Sequence, residues 1–341
     1  MKSTLLLGAA ILAASIALVR AEMVSIHSPD QQLHVKAGLD DSGTFRYGLE
    51  AFGKPLLLPS PAAIQVGDAT LPGADWKLVG QRSTRHDASW KPLWGKRAVV
   101  PDRHCETVFE LQGPAKSRLE ITVRVYDDGL ALRYSVPAGA PALGASDLTE
   151  FHFAGDYTCW GYNHENHNKG PENLSWIHDV RPPVITLQAA PDIFLALHEA
   201  DLRQGEPLLL VKAEPTAFRA KAALGTLEAG KPSPWRVLFC GRSPGALVDS
   251  HLLELLNPEP EGDFSWVVPG VCTWDWRIDG AKVEGFDYGM NYESWVRMID
   301  FSAANGIKHL VLDANWYGPE FEQDSDPVKG DKANDVKRII A

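Results

Sequence analysis

Over residues 23–269 apolar and polar side chains alternate one by one in short runs. Leu33-His34-Val35-Lys36-Ala37, Phe45-Arg46-Tyr47-Gly48-Leu49 and Leu119-Glu120-Ile121-Thr122-Val123-Arg124-Val125-Tyr126 show it most clearly. A period of two buries one face of a strand and leaves the other in solvent. Asp128-Gly129 then precedes Leu130-Ala131-Leu132-Arg133-Tyr134, which predicts a hairpin, since Asp-Gly readily takes the positive φ of tight turns. Further strands are predicted over 184–188, 193–198, 208–212 and 235–240, with Gly and Pro between them. Many strands and little helix predict a large antiparallel β-sandwich.

A helix breaks this texture near the end of the region. Ser243 can cap it, Pro244 suits its first turn, and Val248, Leu252, Leu255 and Leu256 recur at helical spacing. The Pro- and Glu-rich run Asn257-Pro258-Glu259-Pro260-Glu261-Gly262 ends it and is the candidate linker. Beyond 269 the pattern changes. Val271-Cys272-Thr273-Trp274-Asp275-Trp276 predicts a strand. Asn291 can cap a helix with Trp295, Met298, Ile299 and Ser302 inward, and Gly306 can end it. Lys308-His309-Leu310-Val311-Leu312-Asp313 predicts a buried strand. Strand, helix, strand is a βαβ unit with parallel strands. Another helix starts near Asn334, with Val336, Ile339 and Ile340 inward. The sequence stops inside it, where a closed β/α barrel takes about 250 residues. The chain is therefore expected to be the front part of a longer protein.

The first residues bear on compartment. Lys2 precedes an apolar run over 5–19, and Val19-Arg20-Ala21 offers a cleavage site. This is the layout of a secretory signal peptide over 1–21, shorter than the roughly 20 apolar residues of a membrane span. A periplasmic or secreted protein without a membrane anchor is expected. Net charge is −11, more negative still once Lys2 and Arg20 are removed, which opposes binding to nucleic acid. Neutral sugars carry no such penalty. Cys105, Cys159, Cys240 and Cys272 are not at metal-site spacing, and their pairing is open. No Gly-rich phosphate loop or Gly-x-Ser-x-Gly elbow is present, which excludes the usual nucleotide and lipase signatures.

Two clusters stand where a barrel places its active site, at the C-terminal ends of strands. One is Trp274-Asp275-Trp276; the other is Asp313-Ala314-Asn315-Trp316-Tyr317-Gly318. Aromatic faces stack on sugar rings and carboxylates accept hydroxyl hydrogen bonds, so Trp274, Asp313 and Trp316 are candidate substrate-binding residues. The same aromatics would serve equally to plug a barrel top. Glu199, in Ala196-Leu197-His198-Glu199-Ala200-Asp201, ends an apolar strand. It reads either as a ligand or as a rim carboxylate paired with Arg203. Asn163-His164-Glu165-Asn166-His167-Asn168 has metal-binding residue types, but a polar loop accounts for them as well.

At these residues the sequence resembles glycoside hydrolase family 97, bacterial calcium-dependent exo-acting α-glucosidases and α-galactosidases. Pro269-Gly270-Val271-Cys272-Thr273-Trp274-Asp275-Trp276, residues 291–301, Leu310-Val311-Leu312-Asp313-Ala314-Asn315-Trp316-Tyr317-Gly318 and His198-Glu199-Ala200-Asp201-Leu202 carry the resemblance. Asn315 departs from it, standing where Gly is expected. The resemblance implies an N-terminal, galactose-mutarotase-like β-super-sandwich over 22–268. It implies the first two βα units of a truncated (β/α)8 barrel over 269–341. It also implies an oligosaccharide substrate and a calcium ion, with Glu199 as the sandwich's metal ligand. The catalytic acid and its partner carboxylate would lie on later barrel strands, so none is assigned in this chain, and with them goes the choice between inversion and retention. A non-catalytic carbohydrate-binding sandwich is the alternative.

Overall fold

The computed structural model describes residues 23–162 and 168–341. The signal peptide expected over 1–21 and residues 163–167 of the His- and Asn-rich segment lie outside the described residues. Contacts divide the chain into two units, Met1–Glu259 and Pro260–Ala341. The boundary expected at 268/269 falls further along, inside the second of these.

The first unit is mainly β. Four antiparallel strands, Val24–His27, Leu33–Leu39, Phe45–Ala51 and Lys54–Pro61, form one sheet in chain order. A second sheet has nine strands. Across it run Asn168–Asn173, Thr158–Tyr162, Ile185–Ala190, Ile193–Ala200, Trp235–Gly241, Gly129–Ser135, Arg118–Tyr126, Val100–Gln112 and Lys77–Trp90. The expected alternation sorts their side chains. Leu33, Val35, Phe45 and Tyr47 from the small sheet share one core with Phe109, Ile121, Val123, Leu132 and Leu195 from the large one. Phe45 and Phe109 meet edge to face in it, their centroids 4.9 Å apart. The sandwich follows from two one-sided sheets hiding their apolar faces on each other.

The strand Trp235–Gly241 is buried along its whole length. Leu238 and Cys240 enter the main core. Trp235, Val237 and Phe239 point the other way, into a second cluster with Leu252 and Leu256. The expected single helix over those leucines is instead two, Pro244–Asp249 and Leu252–Leu256. Ser243 caps the first as expected, accepting from the Ala246 amide at 3.2 Å. Ser250 breaks the run with an extended ψ of 146° and accepts from the Leu252 amide at 3.2 Å. That break turns Val248 outward, 74% exposed, while Leu252 and Leu256 stay buried. The edge strand Lys77–Trp90 is exposed on both faces over 81–89. Its Arg82, Arg85 and Asp87 are the kind of charges that keep a free sheet edge from pairing with another chain.

The predicted hairpin is present, with a different turn. Tyr126 pairs with Gly129, so the two turn residues are Asp127 and Asp128. Neither has a positive φ. Gly129 is needed for space instead: a Cβ there would stand 2.5 Å from the Leu238 carbonyl oxygen.

In the second unit, Cys272–Trp274 pairs in parallel with His309–Val311, and the helix Tyr292–Ala304 connects them. This is the predicted βαβ unit. Asn291 accepts from the Ser294 amide at 3.0 Å, and Gly306 follows the helix at φ 69°. Trp295, Met298 and Ser302 are buried. The strand expected to be buried is not: Val311 is 40% exposed. A parallel strand is buried when helices cover both its faces, and one helix covers one face. The last helix, Ala333–Ile340, forms as predicted, but Ile340 points out, 78% exposed.

All four cysteines are free, and burial pushes the Cys159 and Cys240 thiols up to about 12. Among the described residues no helix is long and apolar enough to cross a membrane. Gly129→Ala is expected to cost about 1–3 kcal/mol, the usual penalty of forcing an atom into a filled space. Urea unfolding of the two proteins measures it, and equal midpoints would refute the close approach.

Candidate functional site

Glu199 lies near the end of Ile193–Ala200, and strand register sets it opposite Arg236. Arg236 Nη1 donates to Glu199 Oε2 at 2.9 Å, and Arg236 Nε donates to Asp147 Oδ2. Arg236 and Asp147 are 1% and 2% exposed. The other Asp147 oxygen accepts from the Thr149 amide at 2.8 Å and from Thr149 Oγ1 at 2.6 Å. A hydroxyl has one proton to give, so Thr149 accepts from Tyr134 Oη, 2.7 Å away. Burial holds the Tyr134 phenol well above its ordinary value, which keeps that donor protonated. Glu199 Oε1 accepts from the Leu208 amide at 2.9 Å. Every carboxylate oxygen in the set thus has a partner, as a buried charge requires.

The sequence pairing of Glu199 with Arg203 is not what forms. Arg203 Nε donates to Asp201 Oδ1 at 2.7 Å. Calcium takes six to eight oxygens. Among the described residues no group of three His, Cys, Asp or Glu side chains is arranged to hold a metal ion. Glu199's charge is already matched by Arg236. The donors among the described residues therefore do not fit a calcium ion by themselves.

The second unit gathers its candidates around a residue that composition does not single out. Asp275 is 1% exposed. Its Oδ2 accepts from Trp295 Nε1 at 2.9 Å, and its Oδ1 accepts from the Asp313 amide at 2.9 Å. One carboxylate thus ties the end of the first strand to the helix and to the end of the second strand. Thr273 and Ser302 hydroxyls, 2.9 Å apart, add a second tie between strand and helix. Trp274 and Trp276 lie 5.5 Å apart at 32°, and the Arg277 guanidinium stands 4.9 Å from each ring. Trp274 Nε1 is buried without a partner, while Trp276 is 48% exposed. Trp316 is not in this stack; it packs edge-on against Tyr317, with centroids 5.5 Å apart. Asn315 takes φ 62°, a conformation that glycine adopts most easily and asparagine tolerates. Its Oδ1 accepts from the Glu320 amide at 3.0 Å, so the turn keeps its shape without glycine.

A model of the family described as "Glycosyl-hydrolase 97 N-terminal" matches residues 26–259. The chain belongs to glycoside hydrolase family 97. It is 23% identical over 347 aligned positions to a protein of Bacteroides thetaiotaomicron named retaining alpha-galactosidase, covering 89% of this chain and 51% of that one. It is 28% identical over 286 positions to a probable retaining alpha-galactosidase of Streptomyces bingchenggensis, covering 78% of this chain and 42% of that one. The chain thus spans about half the length of these curated relatives. Its fold is like that of a family 97 enzyme from a Pseudoalteromonas species solved with acarbose, at TM-score 0.70 and 21% identity, over 84% of this chain and 46% of that one. It is also like a beta-arabinopyranosidase, at TM-score 0.75 and 19% identity, over 93% and 53% of the two chains.

Within this family-97 chain, Arg236 escaped the sequence reading, and Asp275 entered it only as a member of the Trp274-Asp275-Trp276 cluster, without its structural role. Arg236 sits in the otherwise apolar run Trp235-Arg236-Val237-Leu238-Phe239-Cys240, and a charge inside such a run is itself a signal. What the sequence did not show is that Asp275 accepts from Trp295 and from the Asp313 amide. Arg236→Met is expected to destabilise the first unit by about 3–5 kcal/mol, because Asp147 is left buried and unpaired. Denaturant unfolding checks this, and a loss below about 1 kcal/mol would mean the pair is solvated. Asp275→Ala should abolish protection of the Asp313 amide in hydrogen exchange while the Ile121 and Val123 amides stay protected. Unchanged protection at Asp313 would show that Asp275 does not tie the strand.

Proposed function

We propose that this chain is the β-sandwich and the first barrel units of an exo-acting α-glycosidase that cleaves oligosaccharides, with α-galactosides ahead of α-glucosides. The family match over 26–259 carries the glycoside hydrolase part of the reading. Both curated relatives are named as alpha-galactosidases, one of them probable, which favours galactosides. The parallel pair of strands with Trp274 and Asp313 at their C-terminal ends favours a barrel mouth as the sugar site.

In this reading Trp274 and Trp276 offer a stacked aromatic face to the sugar, with Arg277 stiffening the pair. Asp313, its backbone fixed by Asp275, accepts hydroxyl hydrogen bonds, and Trp316 supplies a second apolar wall. The pair of carboxylates that glycoside hydrolysis ordinarily needs is not assigned in these residues, and no chemical step is derived from them. Glu199 would give a calcium ion one carboxylate at most, using lone pairs that Leu208 and Arg236 leave free. The remaining oxygens would come from residues that this chain does not contain. The leader over 1–21 supports export to the periplasm or the medium.

The 341-residue chain is expected to leave aryl α-galactosides and aryl α-glucosides intact and to give no saturable heat with calcium chloride. A protein that joins it to the remaining length of its relatives should hydrolyse the galactoside, and chelator should slow it. Turnover by the short chain at enzyme-like rates would overturn the assignment of catalysis to later residues.

A further inference from the structure

The edge strand Lys77–Trp90 has one neighbour in its sheet, Val100–Gln112, and its residues 81–89 are exposed. Apolar burial therefore does little to hold it. Near its start Arg82 pairs with Glu110, and Ser83 Oγ lies 2.9 Å from Thr107 Oγ1. At its end Trp90 stands opposite the buried Val100. Over 84–89, between these ties, the described residues make one side-chain hydrogen bond or ion pair to the neighbouring strand, from His86 to Asp102.

That contact belongs to a larger set. Strand register puts His86 opposite His104, and His104 opposite Tyr126 on the next strand. The two imidazoles stack, their centroids 4.9 Å apart at 29°. Both reach one carboxylate: His86 Nε2 lies 3.0 Å from Asp102 Oδ2, and His104 Nδ1 lies 3.1 Å from Asp102 Oδ1. A carboxylate only accepts, so both nitrogens donate, which neutral rings do in one tautomer each. His104 is buried, while His86 is exposed.

The charges facing His104 decide what acid does to it. Its own strand brings Asp102 and Glu106, the edge strand brings His86, and the strand on the other side brings Arg124 and Tyr126. The helix packed on Tyr126, Leu252–Leu256, carries Glu254, 4.0 Å from His251. Glu106 is already committed to Arg124 Nε at 2.6 Å. Burial pushes the Tyr126 phenol up to about 12, so it stays neutral. One carboxylate, Asp102, is thus left for two imidazoles beside a guanidinium. Burial first, then the Arg124 charge, holds the His104 imidazole below its ordinary value, against the pull of Asp102.

Releasing 84–89 removes His86 from the stack and lets water reach His104, which then takes its ordinary value of about 6.5. The open segment binds a proton that the closed one refuses. Opening therefore gains as pH falls below that value, until the closed form binds the proton too. Above it the ring is neutral in both forms and the hold is complete.

We propose that His86, Asp102 and His104 form an acid-sensitive latch, which fastens residues 84–89 to the neighbouring strand at neutral pH and releases them in acid. Release uncovers the backbone of 101–106, the partners of 84–89, as a sheet edge open to another strand. The latch shares no residue with the proposed sugar site and does not depend on the glycosidase reading.

Amide hydrogen exchange of the 341-residue chain tests it, with rates corrected for the intrinsic effect of pH. From about pH 7.5 to about pH 5.5, protection of the amides over 84–89 should fall about fivefold to tenfold, the linkage of one proton to an imidazole of ordinary value. Protection at Ile121 and Val123 should not change. His104→Gln keeps a donor for Asp102 and removes the titration, so the fall should disappear. If that variant does not fold, the wild-type His104 ring carries the test: followed by NMR, it should titrate below about 6.5. A midpoint at or above that value would overturn the latch. So would unchanged protection over 84–89, a fall that persists in His104→Gln, or a fall shared equally by Ile121 and Val123.

Discussion

Arg236 carries a positive charge into the middle of a sandwich core, and the arrangement around it follows from that fact. A guanidinium at 1% exposure is tolerable only with carboxylates in contact. Asp147 and Glu199 supply them from two different sheets. Asp147 is itself buried, so it needs Thr149, and Thr149 in turn orients Tyr134. The network links the strands Leu143–Asp147, Ile193–Ala200, Trp235–Gly241 and Gly129–Ser135 by directional bonds. Apolar packing alone tolerates sliding of one sheet over another; a buried ion pair with fixed hydrogen bonds does not. A register slip of one residue would turn Arg236 to the other face and leave Asp147 unpaired.

The second unit uses the same device at smaller scale. Asp275 is buried, accepts from one indole and one amide, and so fixes three elements at one point. The two-stranded sheet there buries little apolar surface, which makes this directional tie more important to its geometry than it would be in a large core. The residues expected to meet a sugar, Trp274 and Asp313, flank the tie. The backbone of Asp313 is held in place by the hydrogen bond that Asp275 accepts from it.

Much of this was legible in the sequence, because period-two alternation and capping residues act locally. The strands containing Val35, Tyr47 and Ile121 declare themselves by alternation, and Asn291 and Ser243 by their place before helical runs. The strand Lys77–Trp90 does not declare itself: exposed on both faces, it carries no apolar alternation to read. Its partner Val100–Gln112 went unread as well. The helix over 244–256 was legible as a helix but not as two, since the break depends on Ser250 finding an amide to accept from. At the candidate site the residues were legible and their partners were not. Arg203 is Glu199's neighbour along the chain, but Arg236 is its neighbour across the sheet, 37 positions away. Asp275 meets Trp295 and Asp313 at separations of 20 and 38. Register and packing, rather than local pattern, decide those pairings.

The contrast between the two kinds of polar group in this chain separates scaffold from site. Around Arg236 every carboxylate oxygen is met, although Arg236 Nη2 is not, and around Asp275 both oxygens are met; carboxylates engaged in this way hold structure and have little left for a ligand. Trp274 Nε1 and His251 Nδ1 are buried and unmet. Unmet groups carry a standing cost in the folded chain, and a ligand or water that meets them recovers it. Glu199 stands between these classes: both oxygens are engaged, yet each by one donor only, with its side chain 11% exposed. An ion arriving there would meet a carboxylate already oriented by Leu208 and Arg236, and would have to share it with a guanidinium. That competition makes Glu199 a poor ligand alone and a serviceable one only where several other oxygens outweigh the arginine.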